Sequence, residues 1–310
     1  MPARLGEFPL PRKSPHFLAC RVAVRPFRTR RAVIGLSGGP DSLALTAAAL
    51  AEDVAVHAVC VDHRLQPGSG DVAAQAATTA ERLGATAEVV SVEVPTGGSM
   101  EAAARHARYT ALHDAAGTDE IWVAHTLDDQ AETLLLGALR GNPAGMVPRA
   151  GQVVRPLLGV RRTDTVGACA ELGLTAWHDP QNDDPAFRRV AVRRRVLPLL
   201  DEIIGGDAAP ALAQTAQRLA ADDTLLTHLA GPPTDDCREL AADPGPLRRR
   251  RIAAWLLGQG LSVTAASVSA IEVLVTDWRG QGGVAVGGGP GRRLEVVRLN
   301  GRLSLSSGAR

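Results

Sequence analysis

Between about residues 31 and 180 the chain alternates two textures, and that alternation limits the fold more than any other feature. The runs AVIGLS (32–37), VAVHAVCVD (54–62), TAEVVSVEV (86–94) and EIWVAHT (120–126) are short, β-branched and almost continuously apolar. Alanine-rich segments with helical spacing lie between and after them, at 42–51, 70–83, 99–116 and 128–140. A strand apolar on both sides must be covered on both faces, and strands separated by helices are joined in parallel. The expected class is therefore α/β, a parallel sheet with helices on both faces. Ligands of such sheets bind in the crevice beyond the carboxyl ends of the strands. Polar residues just after each run are thus the ones to read for chemistry.

The rest of the chain sets limits on function. At 310 residues it can hold one large domain or two ordinary ones, and 45% apolar with 22% charged residues is a globular balance. No apolar run reaches the length of a membrane span. The four cysteines (Cys20, Cys60, Cys169, Cys237) include no C-x-x-C pair, which argues against a zinc or disulfide framework and fits a cytoplasmic protein. A net charge of +1 advertises no polyanionic partner. Of 34 basic residues only Lys13 is lysine, a bias that goes with the abundance of alanine and says little about RNA. Residues 1–30 form a basic, acid-poor stretch that reads as a mobile arm or a short lead-in helix. Past residue 205 the texture becomes that of amphipathic helices at 209–230, 247–257 and 264–278, then short strands with glycine-rich turns. In the first of these helices Leu212, Ala216, Leu219 and Leu226 form the stripe. The expected division is an arm (1–30), an α/β domain (31–204) and a smaller, mainly helical domain (205–310).

Five constellations follow the strands and the later loops. SGGPDS (37–42) is a glycine turn between a strand and a helix: Gly38 and Gly39 permit close approach of an anion, and the helix start offers free amides. Ser37 and Ser42 add hydroxyls, Pro40 opens the helix, and Asp41 beside a phosphate suggests a bridging Mg²⁺. VDHRLQPGS (61–69) places Asp62 and His63 at a strand end, an arrangement that also serves as a plain turn cap. AHTLDDQAET (124–133) spaces His125, Asp129 and Glu132 at i, i+4, i+7, which on a helix gathers them on one face. Imidazole and carboxylates at a helix start suit a cationic ligand or a metal. AARHARYTALHDAA (103–116) sets Arg105, Arg108 and Tyr109 on an apolar helix. The last constellation combines RPLLGVRR (155–162) with HDPQNDDPAFRRVAVRRRVLPLL (178–200), whose five arginines between 188 and 195 form the best basic patch.

Taken in order, SGGPDS, VDH-x-L, AR-x-x-RY, AHTLDDQAET, LRG, RPLL and the arginine segment resemble the tRNA(Ile)-lysidine synthetase family of the PP-loop ATP-pyrophosphatase superfamily. WRGQGGVAV (278–286) is similar to a segment near that family's end. The resemblance implies an ATP-dependent ligase with a monomeric or homodimeric, cytoplasmic life. Its substrates would be ATP with Mg²⁺, L-lysine and an isoleucine tRNA with a CAU anticodon, whose cytidine 34 becomes lysidine. By the resemblance Ser37, Gly38, Gly39, Pro40, Asp41 and Ser42 hold ATP, with Asp41 toward Mg²⁺. His125, Asp129 and Glu132 meet lysine and, with Asp41, form the catalytic set. Arg105, Arg189, Arg193 and the second domain meet the tRNA. Two departures stand out: Val190 follows Arg189 where the family has asparagine, and GNPAGMVPRA (141–150) is short and poor in glycine. The alternatives are a PP-loop tRNA thiolase, which would call for paired cysteines, and a non-catalytic nucleotide sensor, which would not require AHTLDDQAET.

Overall fold

A computed structural model describes residues 4–66, 68–94, 100–287 and 293–308. It divides the chain into two compact units, Met1–Ala220 and Ala221–Arg310. The first unit opens with a two-residue hairpin, β1 (Arg4–Leu5) and β2 (Phe8–Pro9), and helix α1 (Pro15–Val24). Then come β3 (Arg31–Gly35), α2 (Pro40–Ala51), β4 (Ala55–Asp62), α3 (Ser69–Leu83), β5 (Thr86–Ser91), α4 (Met100–Ala116), β6 (Glu120–Trp122) and α5 (Leu127–Ala138). The expected strand–helix alternation is present in full.

A short β7 (Arg149–Ala150) and β8 (Val153–Val154) follow, then α6 (Arg162–Leu172) and α7 (Arg188–Ala191). A π-helical turn at Val192–Val196 leads into α8 (Leu197–Ile204) and the long α9 (Ala208–Ala230). The six strands are ordered β5-β4-β3-β6-β8-β7, parallel except for β7, which pairs antiparallel with β8 at the edge. The expected parallel sheet with helices on both faces is present, extended at one edge by that antiparallel strand. Residues 149–154 form a tight hairpin around Gly151, and a hairpin joins only antiparallel neighbours.

Strand order reverses direction between β3 and β6, and their carboxyl ends open the crevice of this architecture. Successive residues face opposite sides. Ala32, Ile34, Ala58, Cys60, Trp122 and Val154 point into one core with α1, α2, α3 and α6. Val33, Val59, Ile121 and Val153 point into the other with Leu112 and Ala116 of α4.

Two boundary expectations change. The basic start of the chain is a lead-in helix and not a mobile arm, because its apolar side is part of the core: Phe17, Cys20 and Val24 are buried. Its arginines meet acids far along the chain, Arg21 and Arg25 on the carboxylate of Glu52 at 2.7 and 3.1 Å. The first unit also runs past residue 205 into α9. The buried stripe there is Ala209, Ala213, Ala216 and Ala220, while Leu219 and Leu226 stay partly exposed. Small side chains win because the packing is close. A Cβ on Gly145 would stand 2.0 Å from the carbonyl oxygen of Ala216.

The second unit holds α10 (Cys237–Ala242), α11 (Gly245–Gly258), α12 (Ala265–Thr276) and an antiparallel sheet ordered β11-β10-β9. The strands are β9 (Val284–Gly287), β10 (Arg293–Leu299) and β11 (Arg302–Gly308). Its own core contains Leu240, Ile252, Leu256, Ile271, Val296 and Leu303. The glycine-rich turn expected at 288–292 lies outside the described residues. Among the described residues no helix is long and apolar enough to cross a membrane.

Candidate active site

The glycine turn sits where β3 ends and α2 begins. Gly39 is the N-cap and Pro40 the first helical residue, whose missing N–H costs nothing there. Gly38 has φ +79°, a left-handed backbone, and a Cβ at that position would lie 3.2 Å from the Cβ of Ala76. The loop is held from within. Ser42 donates from Oγ to the Gly39 carbonyl at 3.0 Å and accepts from the Ser37 amide at 3.2 Å. Gly38 also accepts from the Trp177 amide at 2.9 Å. The turn stands at the positive end of a twelve-residue helix, whose first amides lack an intrahelical acceptor and suit an anion.

This turn forms one wall of a cleft of about 710 Å³, the size of a nucleotide or drug-sized site. The opposite walls come from the ends of β4 and β6, with Asp62, His63, Arg108, His125 and Asp129 among the lining groups. Asp62 serves the turn itself. It accepts from the Arg64 amide at 2.9 Å and the Ser69 hydroxyl at 2.6 Å, bonds that hold its carboxyl below the usual range. His63 Nδ1, His125 Nδ1 and Arg108 Nε are buried without a hydrogen-bond partner among the described residues. Burial pushes His125 down to about 4 and also lowers His63, so both rings are neutral at pH 7.

Behind the cleft lies a network of carboxylates and arginines. Helix α5 starts at Leu127 because Thr126 caps it: Asp129 and Thr126 form a reciprocal capping box. Asp129 Oδ2 accepts from the Thr126 amide and hydroxyl at 2.7 and 2.8 Å, and Oδ1 accepts from Arg162 Nη2 at 2.7 Å. Burial pushes the Asp129 carboxyl up, but the Arg162 charge and the cap outweigh it and hold it ionised below its usual range. Arg162 Nη1 also reaches Glu132 Oε1 at 3.1 Å, and its Nε stands 3.6 Å from Asp41 Oδ2. Thr165, one turn along α6, donates its hydroxyl to the other Asp41 oxygen. Glu132 is fully buried, with Arg193 Nε at 2.8 Å and Arg189 Nη1 at 3.7 Å. Asp128 points elsewhere, pairing with Arg161 at 3.0 Å and accepting from the Arg162 amide at 2.7 Å.

The residues expected from sequence separate accordingly. Ser37, Asp41 and Ser42 line the cleft beside Gly38 and Gly39, with Pro40 at the helix start. His125 and Asp129 line it as well. His125 does not share a helical face with Glu132, however, because the Thr126 cap leaves it outside the helix. Only Asp129 and Glu132, three apart, stay neighbours on α5. Glu132 is enclosed by arginines and does not line the cleft.

Arg189 and Arg193 turn toward Glu132. Arg188 and Arg195 of the same segment have no acidic partner among the described residues, whereas Arg194 pairs with Asp183. Arg105 is exposed and lies over the Tyr109 ring at 4.9 Å, so its neighbour Arg108 is the one in the cleft. The Asp41 oxygens are engaged by the Thr165 hydroxyl and approached by the Arg162 guanidinium. Among the described residues no three metal-ligating side chains cluster, so a Mg²⁺ reaching Asp41 would take most of its ligands from the nucleotide and water. Arg162 and Thr165 join the site without a local sequence signal. RPLLGVRR was visible as basic, but only the fold shows which of its arginines faces three carboxylates.

The four cysteines are all buried and unpaired. Burial pushes the thiols of Cys20, Cys60 and Cys169 up to about 12, which leaves them un-ionised at pH 7.

Comparison with known proteins converges on one family. A family profile described as the PP-loop domain matches residues 16–200. A tRNA(Ile)-lysidine synthase from Corynebacterium glutamicum is 53% identical over 99% of this chain and all of its own length. One from Rhodococcus erythropolis is 49% identical over 94% of this chain and 96% of its own. Among solved structures, a U34-tRNA thiolase from Methanococcus maripaludis superposes with a TM-score of 0.52 over 66% of this chain and 78% of its own. At 17% identity that likeness speaks for the fold alone.

Proposed function

Since the chain belongs to the tRNA(Ile)-lysidine synthase family, we propose that it ligates L-lysine to carbon 2 of cytidine 34 in the CAU anticodon of tRNA(Ile), in two steps that share one cleft. Oxygen 2 of the base attacks the α-phosphorus of ATP, and pyrophosphate leaves. The lysine ε-amine then attacks carbon 2, the bond from carbon 2 to oxygen 2 breaks, and AMP departs with that oxygen. A carbonyl oxygen is a poor leaving group until adenylated, which is why ATP is needed.

The observation that carries this reading is the juxtaposition of an anion-binding turn with an ionised, inward-facing carboxylate in one cleft. The amides at the start of α2 suit phosphate, which draws charge away from the attacked phosphorus. Asp129 suits an ammonium, and the neutral imidazole of His125 beside it can accept a hydrogen bond from the same group. Asp41 contributes through its contacts with Arg162 and Thr165. Glu132 supports Asp129 from behind and does not itself contact lysine. Arg188 and Arg195, with Arg105, are the arginines best placed to meet tRNA phosphates. On this reading the second unit contributes to choosing the tRNA, and the enzyme works in the cytoplasm.

The test is incubation with ATP, lysine and a CAU-anticodon tRNA(Ile) transcript, followed by mass spectrometry of the released nucleosides. Lysidine should appear with one AMP and one pyrophosphate per modified base. A folded protein that leaves cytidine 34 unchanged would overturn the reading.

A further inference from the structure

Arg162 touches more acidic groups of the site than any other described side chain. Nη2 is 2.7 Å from Asp129, Nη1 is 3.1 Å from Glu132, and Nε is 3.6 Å from Asp41. Its backbone amide donates to Asp128 at 2.7 Å, which fixes the start of α6 against α5. A planar fork with five donors in fixed directions reaches three separated carboxylates at once, whereas an ammonium offers three donors from a single compact point. The Arg162 side chain is only 21% exposed, so its interactions are weakly screened. The distribution of the other cations makes the position special. Arg189 and Arg193 both lie on Glu132, so Arg162 is the only described arginine paired with either Asp41 or Asp129.

We infer that Arg162 is the positioning residue of the amino-acid half of the site, tying the turn carboxylate Asp41 to the helix carboxylates Asp129 and Glu132. The inference rests on the proposed ligase reading and adds a residue and a role to it. Three consequences follow from the chemistry. Asp41 lies at the nucleotide turn and Asp129 at the amine-facing wall, so one rigid guanidinium fixes the spacing between the activated base and the nucleophile. Displacement by an angstrom in such an arrangement is enough to slow a reaction 100-fold. A fixed positive charge close to Asp129 also limits how strongly the site stabilises a protonated amine. The amine must shed a proton to attack, and a cavity with unopposed carboxylates would hold the ammonium tightly in its unreactive form. Arg162 therefore matters for turnover more than for capture of lysine.

The test compares wild type, Arg162→Lys and Arg162→Ala as full-length chains, with lysine-transfer and pyrophosphate-release rates measured separately in single turnovers. Arg162→Ala should lower the transfer rate by about 100-fold while KM for lysine stays within about threefold or falls. Pyrophosphate release without lysine should drop less than tenfold. Arg162→Lys should regain at least a tenfold part of the lost transfer rate, and methylguanidinium should partly restore Arg162→Ala.

A transfer rate within threefold of wild type in Arg162→Ala would overturn the inference. So would equal loss of both half-reactions with no gain from lysine or methylguanidinium, the mark of a merely structural residue. A raised KM for lysine with kcat unchanged would assign Arg162 to substrate binding instead. Thermal unfolding separates these results from failure of the ligase reading. If wild type makes no lysidine, the reading falls. The link itself is then judged by a double-mutant cycle of Arg162→Met with Asp129→Asn, whose Tm losses should be non-additive; additive losses would sink it as well.

Discussion

The buried carboxylate of Glu132 gives the sharpest quantitative prediction about the site. It has no exposure and faces Arg193 at 2.8 Å, Arg162 at 3.1 Å and Arg189 at 3.7 Å. Glu132→Gln keeps the shape, removes the charge, and turns an amide N–H₂ toward guanidinium donors on at least one side. Breaking a buried ion pair by removing one partner costs about 3–5 kcal/mol. The lower end applies, because Arg162 keeps Asp129 and both other arginines have some access to water. A loss of about 3 kcal/mol in a unit of this size corresponds to roughly 6–12 °C in Tm. Calorimetric or urea unfolding reads it directly. Because Arg193→Gln removes the same contact from the other side, the double variant should lose about 1–2 kcal/mol less than the sum of the singles. A Glu132→Gln loss below about 1 kcal/mol, or strict additivity with Arg193→Gln, would show that Glu132 is not held by this network.

Other expectations follow from the same geometry. Asp129→Asn keeps one capping oxygen but presents an N–H₂ to Arg162 if it does so; kinetics should show lysine use weakened at least tenfold with KM for ATP little changed, and equal loss of both would contradict its role at the amine wall. His125 stays neutral in the folded state down to about 4, whereas an unfolded histidine takes a proton near 6.5. The unfolded state therefore binds more protons across that window, and stability must fall as pH drops through it, by roughly 2 kcal/mol at pH 5. Urea midpoints at pH 7 and pH 5 should show this drop in wild type and a smaller one in His125→Gln; identical drops would remove His125 from the account. Affinity for tRNA should decrease steeply with salt, and replacing Arg188 or Arg195 by glutamine should reduce the logarithmic slope by about 0.7–0.9 each; unchanged slopes would place the RNA elsewhere.

What sequence could and could not disclose follows from how local each determinant is. The turn at 37–42 was legible because its glycines, its Pro40 and its flanking strand and helix are contiguous. Thr126 and Asp129 are also readable, as a T-x-x-D capping box that starts the helix after His125. Arg162 was not readable as a site residue. Its three carboxylates lie 30 to 121 positions away, and nothing in RPLLGVRR distinguishes an arginine that points into a site from one in solvent. The inward turn of Arg189 and Arg193 was hidden for the same reason: a run of arginines reads as a solvated or RNA-facing patch until a buried acid is found behind it. The start of the chain read equally as an arm or a lead-in helix, because the acid that holds its arginines, Glu52, lies 27 to 31 positions away. The alanine stripe of α9 escaped because hydropathy favours leucine, whereas close backbone approach favours the smaller side chain.

The central claim is that the glycine turn and the carboxylate wall serve one cytidine, activated at oxygen 2 and then attacked at carbon 2. A transcript of CAU-anticodon tRNA(Ile) carrying oxygen-18 at that oxygen of cytidine 34 tests it most directly. In a single turnover with ATP and lysine, the account predicts lysidine in the RNA and the heavy oxygen in the phosphate of AMP. Unlabelled AMP, or heavy oxygen retained in the base, would contradict it.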